Sequence, residues 1–306
     1  METNPLSISF AGLTLANPTI LASGILGYSA ESLRRVAKGG AGAVVTKSIG
    51  VEPRVGYVNP TVVQSEAGLI NAMGLPNPGI EVYAAEIKFS KTVLRVPVIV
   101  SVFGYSAEEY AAVAKRAVLA GADAVELNVS CPHVKQTGAE IGQNQKLLVE
   151  VVETVKAAIS KPLIVKLSPN VADITVSAHA AVEAGADALT VANTLKAMAI
   201  DAETMMPILA NVRGGLSGPA IKPVALRCVY DIHEAYEDVP IIGCGGVSDW
   251  RDAVEFMLAG ASAVQVGTAV AVDVDVFGSI NKGVETYLRK KQFGSVKDIV
   301  GLAHHK

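Results

Sequence analysis

Cysteine is scarce in this sequence: Cys131, Cys228 and Cys244 are the only three thiols in 306 residues, and their spacing suggests neither pairs nor a metal site. That excludes a disulfide framework and suits a reducing, cytoplasmic compartment. A dominant charge is also missing. Lys and Arg number 26 against 29 Asp and Glu, a formal charge of −3, which argues against a nucleic-acid or anionic-membrane surface. The start, Met1-Glu2-Thr3-Asn4-Pro5, has no basic region leading into an apolar core, so no signal peptide is expected. Nor is there an unbroken run of membrane length. The longest apolar stretch, Phe256 to Val272, is interrupted by Gly260, Ser262, Gln265, Gly267 and Thr268 and reads as helix end, loop, strand and loop. What the chain does have is hydrophobic residues, 50% of the total, enough to bury a large core.

A small-residue signature occurs four times: Gly39-Gly40-Ala41-Gly42-Ala43-Val44, Ala120-Gly121-Ala122-Asp123-Ala124-Val125, Ala184-Gly185-Ala186-Asp187-Ala188-Leu189 and Ala259-Gly260-Ala261-Ser262-Ala263-Val264. Each copy follows an amphipathic helical pattern and precedes a β-branched run. Glycine suits a left-handed helix C-cap, and alanines let helix and strand pack closely. A recurring helix-to-strand joint means repeated βα units and a parallel sheet.

In order, the pattern predicts a hairpin over Ile8–Leu15 and strands at Thr19–Ala22, Ala43–Thr46, Val98–Val102, Ala124–Leu127, Leu163–Lys166, Ala188–Ala192, Pro240–Cys244 and Ala263–Val266. Helices are expected at Ala30–Lys38, Gly79–Lys91, Ala107–Leu119, Lys146–Ala158, Asp173–Glu183, Ala220–Ala235 and Val276–Lys290. Ser248-Asp249 is a capping pair ahead of Trp250, expected to open the eighth unit's helix. Long loops follow strands two, four and six, with Val51–Gly68 an extended excursion and Asn193–Pro219 a second long loop. Eight strands alternating with helices give an α/β fold, a single (β/α)8 barrel over residues 1–306. A doubly wound open sheet is the alternative, but it would not need eight units.

Such a barrel carries its chemistry at the C-terminal strand ends. Strand four ends in Glu126-Leu127-Asn128-Val129-Ser130-Cys131-Pro132. A thiol between a strand and a proline, opening a stretch rich in Gly, Gln, Lys and Asn, suits an acid or base over a ligand; the plainer alternative is a small buried hydrophobe. Lys47 and Lys166 end otherwise apolar strands. Either could snorkel to solvent, but strand ends converge on one mouth. Gly245-Gly246 and Gly267-Thr268 follow strands seven and eight, the usual barrel phosphate site, though a tight turn is the bland reading. A phosphorylated substrate or flavin mononucleotide (FMN) would satisfy them. With FMN, Lys166 could stabilise negative charge on the reduced ring. Asn71, Asn128 and Asn193 offer amides for a flat polar heterocycle, and Lys47 or the N–H groups near Gly74 and Leu75 could take a carboxylate. The stretch Asn71 to Gly79 could equally be a plain turn.

Several pieces together resemble the class 1 dihydroorotate dehydrogenases over nearly the whole chain. They are Leu21-Ala22-Ser23-Gly24, Thr46-Lys47-Ser48, Asn71-Ala72-Met73-Gly74-Leu75-Pro76-Asn77-Pro78-Gly79, Asn128-Val129-Ser130-Cys131-Pro132, Lys166-Leu167-Ser168-Pro169-Asn170, Gly214-Gly215-Leu216-Ser217-Gly218-Pro219 and Gly243 to Gly246. The resemblance implies oxidation of dihydroorotate to orotate in pyrimidine synthesis, with Cys131 taking the C5 proton while hydride passes from C6 to FMN N5. It implies substrate contacts from Lys47, Asn71, Met73, Gly74, Leu75, Asn128, Asn193 and Thr194. It implies FMN contacts from Ser23, Lys47, Ser48, Asn128, Lys166, Val191, Gly218, Gly245, Gly246, Gly267 and Thr268. Pro132-His133-Val134-Lys135-Gln136-Thr137-Gly138 is most similar to the 1B form, which implies a homodimer joined to a second subunit bearing FAD and a [2Fe-2S] cluster, a heterotetramer passing electrons to NAD+. The fumarate-using 1A form is the neighbouring alternative. Two positions depart from the pattern: Ser101 stands where relatives place an asparagine near the flavin, and Gln136-Thr137-Gly138-Ala139 differs from the usual glycine-rich sequence.

Rival readings are a dihydropyrimidine dehydrogenase, whose substrate lacks the carboxylate, and a non-catalytic flavin- or phosphate-binding barrel. Among the remaining residues, His133 could tune the cysteine loop or face solvent. His179 and His233 are expected at helix surfaces, His304 and His305 in a disordered terminus, and Cys228 and Cys244 in packing roles.

Overall fold

The computed structural model describes residues 4–130 and 141–305. Cys131, His133 and the departure at Gln136 to Ala139 lie outside the described residues. Eight parallel strands close into one barrel: β1 (Thr19–Leu21), β2 (Ala43–Val45), β3 (Val98–Val102), β4 (Ala124–Asn128), β5 (Leu163–Lys166), β6 (Ala188–Val191), β7 (Ile241–Cys244) and β8 (Ala261–Val266). Neighbours in sequence are neighbours in the sheet, and β8 pairs with β1 through Val264–Thr19. Outside it, the described residues form eight α-helices: α1 (Ala30–Lys38), α2 (Ile80–Val93), α3 (Ala107–Leu119), α4 (Gln145–Ala158), α5 (Ile174–Glu183), α6 (Lys222–Ala235), α7 (Trp250–Leu258) and α8 (Val276–Lys291).

The repeated joint works as its residues dictate. Gly40, Gly121, Gly185 and Gly260 all have φ between 100° and 117°, the left-handed region in which a side chain is strained. Two copies add a device that was not read from the sequence. Asp123 Oδ2 accepts the N–H of Val98 and Asp187 Oδ2 accepts that of Leu163, both at 2.7 Å, so each aspartate satisfies the first donor of the preceding strand. Lys91 and Lys156 then pair with these carboxylates at 2.5 and 2.6 Å.

The barrel strands are buried on both faces, which is why they read as continuous apolar runs. Each helix lays one stripe against them; α4 buries Leu148, Val151, Val152 and Val155, worth roughly 1.5–3 kcal/mol apiece. Caps fix the helix starts. Ser29 and Ser32 form a capping box on α1, and Asp249 and Asp252 form one on α7. Trp250 therefore opens the helix between β7 and β8, the seventh, rather than that of the eighth unit. At the N-terminal end of the barrel, the hairpin Ile8–Phe10 with Leu13–Leu15 turns at Ala11-Gly12, where Gly12 packs against Pro162 just before β5.

The long loops after β2 and β6 are not structureless. Val62–Ser65 and Gly68–Asn71 form a hairpin, and its second strand pairs with Gly214–Ser217, which pairs with Leu195–Ala197. This four-stranded antiparallel sheet has a small core of its own, Ile70, Ala72 and Leu209. A second small hairpin pairs Ile200–Asp201 with Met206–Pro207. The C-terminus is likewise ordered where disorder was expected. Residues Leu302–His304 form a 3-10 turn, the His304 ring stacks on Tyr230 with centroids 3.7 Å apart, and His304 Nε2 lies 3.1 Å from the Ala259 carbonyl. Among the described residues, no helix is long and apolar enough to cross a membrane.

Candidate active site

At the C-terminal strand ends, the barrel interior turns from aliphatic to polar. Glu126 on β4 is fully buried; its Oε2 accepts Gln265 Nε2 at 2.5 Å and Thr190 Oγ1 at 2.9 Å, while Oε1 has no hydrogen-bond partner. Gln265 Oε1 in turn accepts the Lys166 ammonium at 2.9 Å. Burial, the largest influence on Lys166, opposes its charge; Cys244 and Glu126 beside it outweigh that, and the pKa stands above the usual lysine value. Burial pushes the Cys244 thiol up, so it is neutral at pH 7.

One layer nearer the mouth, a chain of hydroxyls and amides crosses from strand to strand. Ser23 Oγ lies 3.4 Å from Ser48 Oγ, and Ser48 Oγ lies 2.9 Å from Ser101 Oγ. Asn128 Nδ2 donates to Ser48 Oγ at 3.1 Å, and Asn193 Nδ2 donates to Asn128 Oδ1 at 3.1 Å. Asn193 Oδ1 takes the N–H of Thr194 at 2.8 Å. Ser101, which the resemblance marked as a departure, is thus a member of this chain through Ser48. Lys47 and Lys166 are only 5% and 6% exposed, so neither snorkels to solvent. Val191, at the end of β6, precedes Ala192 through a cis peptide bond.

The glycines after β7 and β8 gather with those from the loop after β6. A Cβ on Gly246 would lie 2.8 Å from Lys222 Cβ and 2.9 Å from the Gly218 carbonyl; one on Gly218 would lie 2.8 Å from Gly68 Cα. Gly218, Gly245 and Gly246 all have positive φ. Thr268, following Gly267, shares a 2.8 Å hydrogen bond with Ser217. Lys222, ion-paired to Asp252 at 2.7 Å and Glu255 at 2.9 Å, supports the cradle from behind.

Asn71 stands in the four-stranded sheet and donates to the Gly215 carbonyl at 3.3 Å. The same Gly215 packs against Thr194, which would clash with any side chain there. Met73, Gly74 and Leu75 follow, with Gly74 and Leu75 both left-handed, and two partners hold them. The N–H of Tyr57 donates to the Met73 carbonyl at 3.0 Å, and Arg54 Nε donates to that of Gly74 at 3.4 Å.

Of the positions singled out from sequence, Ser23, Ser48, Asn128, Asn193 and Thr194 therefore join one network. Lys166 stands in the layer beneath it, and the glycines form a separate cradle. Asn71 reaches this region through Gly215 and Thr194. Cys131 follows directly on Ser130, the last described residue of that segment. Four further residues organise the site. Glu126, Thr190 and Gln265 build the buried layer, and Asn170 accepts the Lys196 N–H at 2.8 Å while donating to the Thr194 carbonyl at 2.9 Å. The signal was present: Glu126 and Gln265 each interrupt an apolar strand run.

The chain is thus a closed (β/α)8 barrel that gathers a buried lysine, an amide and hydroxyl network and a cluster of glycines at one mouth, the end where barrels of this class carry their chemistry. A family model for dihydroorotate dehydrogenase matches residues 5–288. The catalytic subunit of dihydroorotate dehydrogenase B (NAD+) from Methanocella arvoryzae is 54% identical, covering 96% of each chain. Its counterpart from Pyrococcus furiosus is also 54% identical, over 97% of this chain and 98% of that one. The crystal structure of the Eimeria tenella dihydroorotate dehydrogenase with ferulenol superposes with a TM-score of 0.86 at 23% identity, over all of this chain and 90% of the other, a likeness of fold. The chain belongs to the dihydroorotate dehydrogenase family, as the resemblance of its motifs implied.

Proposed function

We propose that the chain oxidises dihydroorotate to orotate as the catalytic subunit of an NAD-linked, B-type enzyme. The observation that carries this reading is the linked set Ser48, Asn128, Asn193 and Thr194 at the barrel mouth of a chain 54% identical to such subunits. FMN fits the residues present. Gly218, Gly245, Gly246, Gly267 and Thr268 would take the phosphate, because backbone without side chains can approach an anion closely. Ser23, Lys47, Ser48, Asn128, Lys166 and Val191 would hold the ring. Lys166 gives one of its three donor hydrogens to Gln265, which leaves donors for the ring's polar end. When bound, FMN supplies the two-electron acceptor for hydride leaving C6 of the substrate.

The protein's own residues do the rest. Asn71, Asn128 and Asn193 present amides to the dihydropyrimidine edge, with Thr194 beside them. Lys47 and the backbone of Met73, Gly74 and Leu75 take its carboxylate. Cys131 accepts the C5 proton, so that one proton and one hydride leave as the C5=C6 double bond forms. A free thiol titrates near about 8.5, so Cys131 needs help from its surroundings to act at neutral pH. A partner subunit carrying FAD and a [2Fe-2S] cluster would take the electrons on to NAD+, in a heterotetramer built on a homodimer of this chain.

The test is steady-state turnover of the chain co-expressed with such a partner. NAD+ reduction dependent on dihydroorotate supports the reading. Turnover with fumarate in place of NAD+ would assign it to the A form, and turnover of dihydrouracil in place of dihydroorotate would assign it to the dihydropyrimidine dehydrogenases.

A further inference from the structure

Glu126 is the one fully buried carboxylate among the described residues, and the reading above gives it no task. It stands two residues before Asn128 on β4, directly beneath the mouth. Half of its carboxylate is satisfied by Gln265 and Thr190; Oε1 is unpartnered. An anion so placed is costly unless a cation offsets it. The cation at hand is Lys166, and no direct ion pair joins the two. The Gln265 side chain lies between them, its amide nitrogen on the carboxylate and its carbonyl oxygen on the ammonium. A primary amide in this position has no rotational choice, because reversing it would set oxygen against carboxylate and nitrogen against ammonium. The relay therefore fixes the ammonium from below as well as supplying countercharge.

We propose that Glu126 is a positioning residue that acts through Gln265 on Lys166, holding the ammonium charged and aimed at the polar end of the bound flavin and thereby setting the flavin's reduction potential. The inference rests on the FMN reading. The titratable groups acting on Lys166 are Cys244 on β7 and Glu126 on β4, while Gln265 on β8 contacts it without a charge. Burial holds the Cys244 thiol above its ordinary value, which leaves the Glu126 carboxylate as the anionic partner near neutral pH. Without it, Lys166 is a desolvated ammonium with no anion, and its proton becomes easy to lose. A lysine that loses its proton within the working pH range makes the flavin potential follow its titration.

The test is the midpoint potential of bound FMN between pH 6 and 9 in four proteins: wild type, Glu126→Gln, Lys166→Met and the double variant. Glu126→Gln keeps the volume and both hydrogen-bonding positions, which separates charge from packing. In wild type the potential should follow pH with a single slope. Glu126→Gln should add a break, with the balance of oxidised to reduced flavin shifting at least tenfold across it, about 30 mV for a two-electron couple. In the Lys166→Met background, Glu126→Gln should add no break. A potential unaffected by Glu126→Gln, or a break that persists without Lys166, overturns the inference while leaving the functional reading intact. Failure of the wild-type chain, alone and with its partner, to bind FMN overturns both. If Glu126→Gln does not fold, Glu126→Met, which also removes the charge and puts an unbranched apolar side chain in its place, should give the same Lys166-dependent break; a single slope there overturns the inference.

Discussion

Asn193 donates its side-chain amide to Oδ1 of Asn128 at 3.1 Å, bridging the ends of β6 and β4. The same Asn128 oxygen lies 3.4 Å from the N–H of Ser130, and its nitrogen donates to Ser48. The amide plane of Asn128 is therefore fixed from three sides before any substrate arrives, and its backbone carbonyl is held by the Tyr110 hydroxyl at 2.8 Å. Preorganised amides cost no reorientation when substrate binds.

Asn193→Ala removes both a proposed substrate contact and the support of Asn128. The expected loss is about 1–3 kcal/mol, or on the order of ten- to a hundredfold in kcat/KM for dihydroorotate. Unchanged FMN content with weaker orotate binding, read by calorimetry, would locate the effect at the substrate. Wild-type orotate affinity would count against the assignment.

Gly246→Ala tests the cradle. The residue sits at φ 77°, and a methyl would press on Lys222 Cβ and the Gly218 carbonyl. Backbone strain costs about 1–2 kcal/mol, so the barrel should still fold. FMN retention through gel filtration should fall sharply, and added FMN should restore it only at much higher concentration. Retention equal to wild type would move the phosphate elsewhere.

Asp252 ties Lys222 and the start of α7 behind that cradle. Its carboxylate accepts the N–H groups of Ser248 and Asp249 and the Ser248 hydroxyl, as well as pairing with Lys222. Burial raises its pKa, but these partners together reverse that and hold it below the ordinary aspartate value. A depressed carboxyl adds stability in full above its unfolded value, near about 3.9, and loses it as pH falls through the folded value. Asp252→Asn should therefore lower stability by roughly 1–3 kcal/mol at pH 7, with the gap from wild type closing below about pH 4. Denaturant melts at pH 7 and pH 3.5 check both parts. A gap independent of pH would remove the carboxylate from that role.

The C-terminal turn carries a second pH dependence. Burial, and then the neighbouring His304, hold His233 below the usual histidine value, and its Nδ1 is buried without a partner. Its contribution to stability is complete above about pH 6.5 and is lost as pH falls through the lower folded value. His304→Phe keeps a ring against Tyr230 and removes the charge. The fall in Tm between pH 7 and pH 5 should be smaller in the variant; equal falls would show that His304 does not act on His233.

The barrel was legible because its joint repeats: four glycines in the same left-handed setting mark the helix-to-strand turns, and the polar strand ends follow from them. The sheet over the mouth was not. Its strands are short, one opens on two glycines, and Asn71 meets Gly215 across 144 positions, a pairing that no local pattern encodes. Glu126 and Gln265 were visible as polar interruptions of apolar strands. What sequence could not give was their partnership across the barrel, because β4 and β8 lie on different sides of the closed sheet. The terminus misled for a different reason: His304 looked like a frayed end and is fixed by a ring stack on α6.

The most direct measurement of the central claim is anaerobic mixing of the FMN-loaded chain with dihydroorotate while following flavin absorbance, in wild type and Cys131→Ser. Dihydroorotate should bleach the wild-type flavin and dihydrouracil should not, and Cys131→Ser should keep its FMN while bleaching far more slowly. A yellow wild-type protein that ignores dihydroorotate would contradict the assigned reaction, and equal bleaching in the two proteins would remove Cys131 as its base.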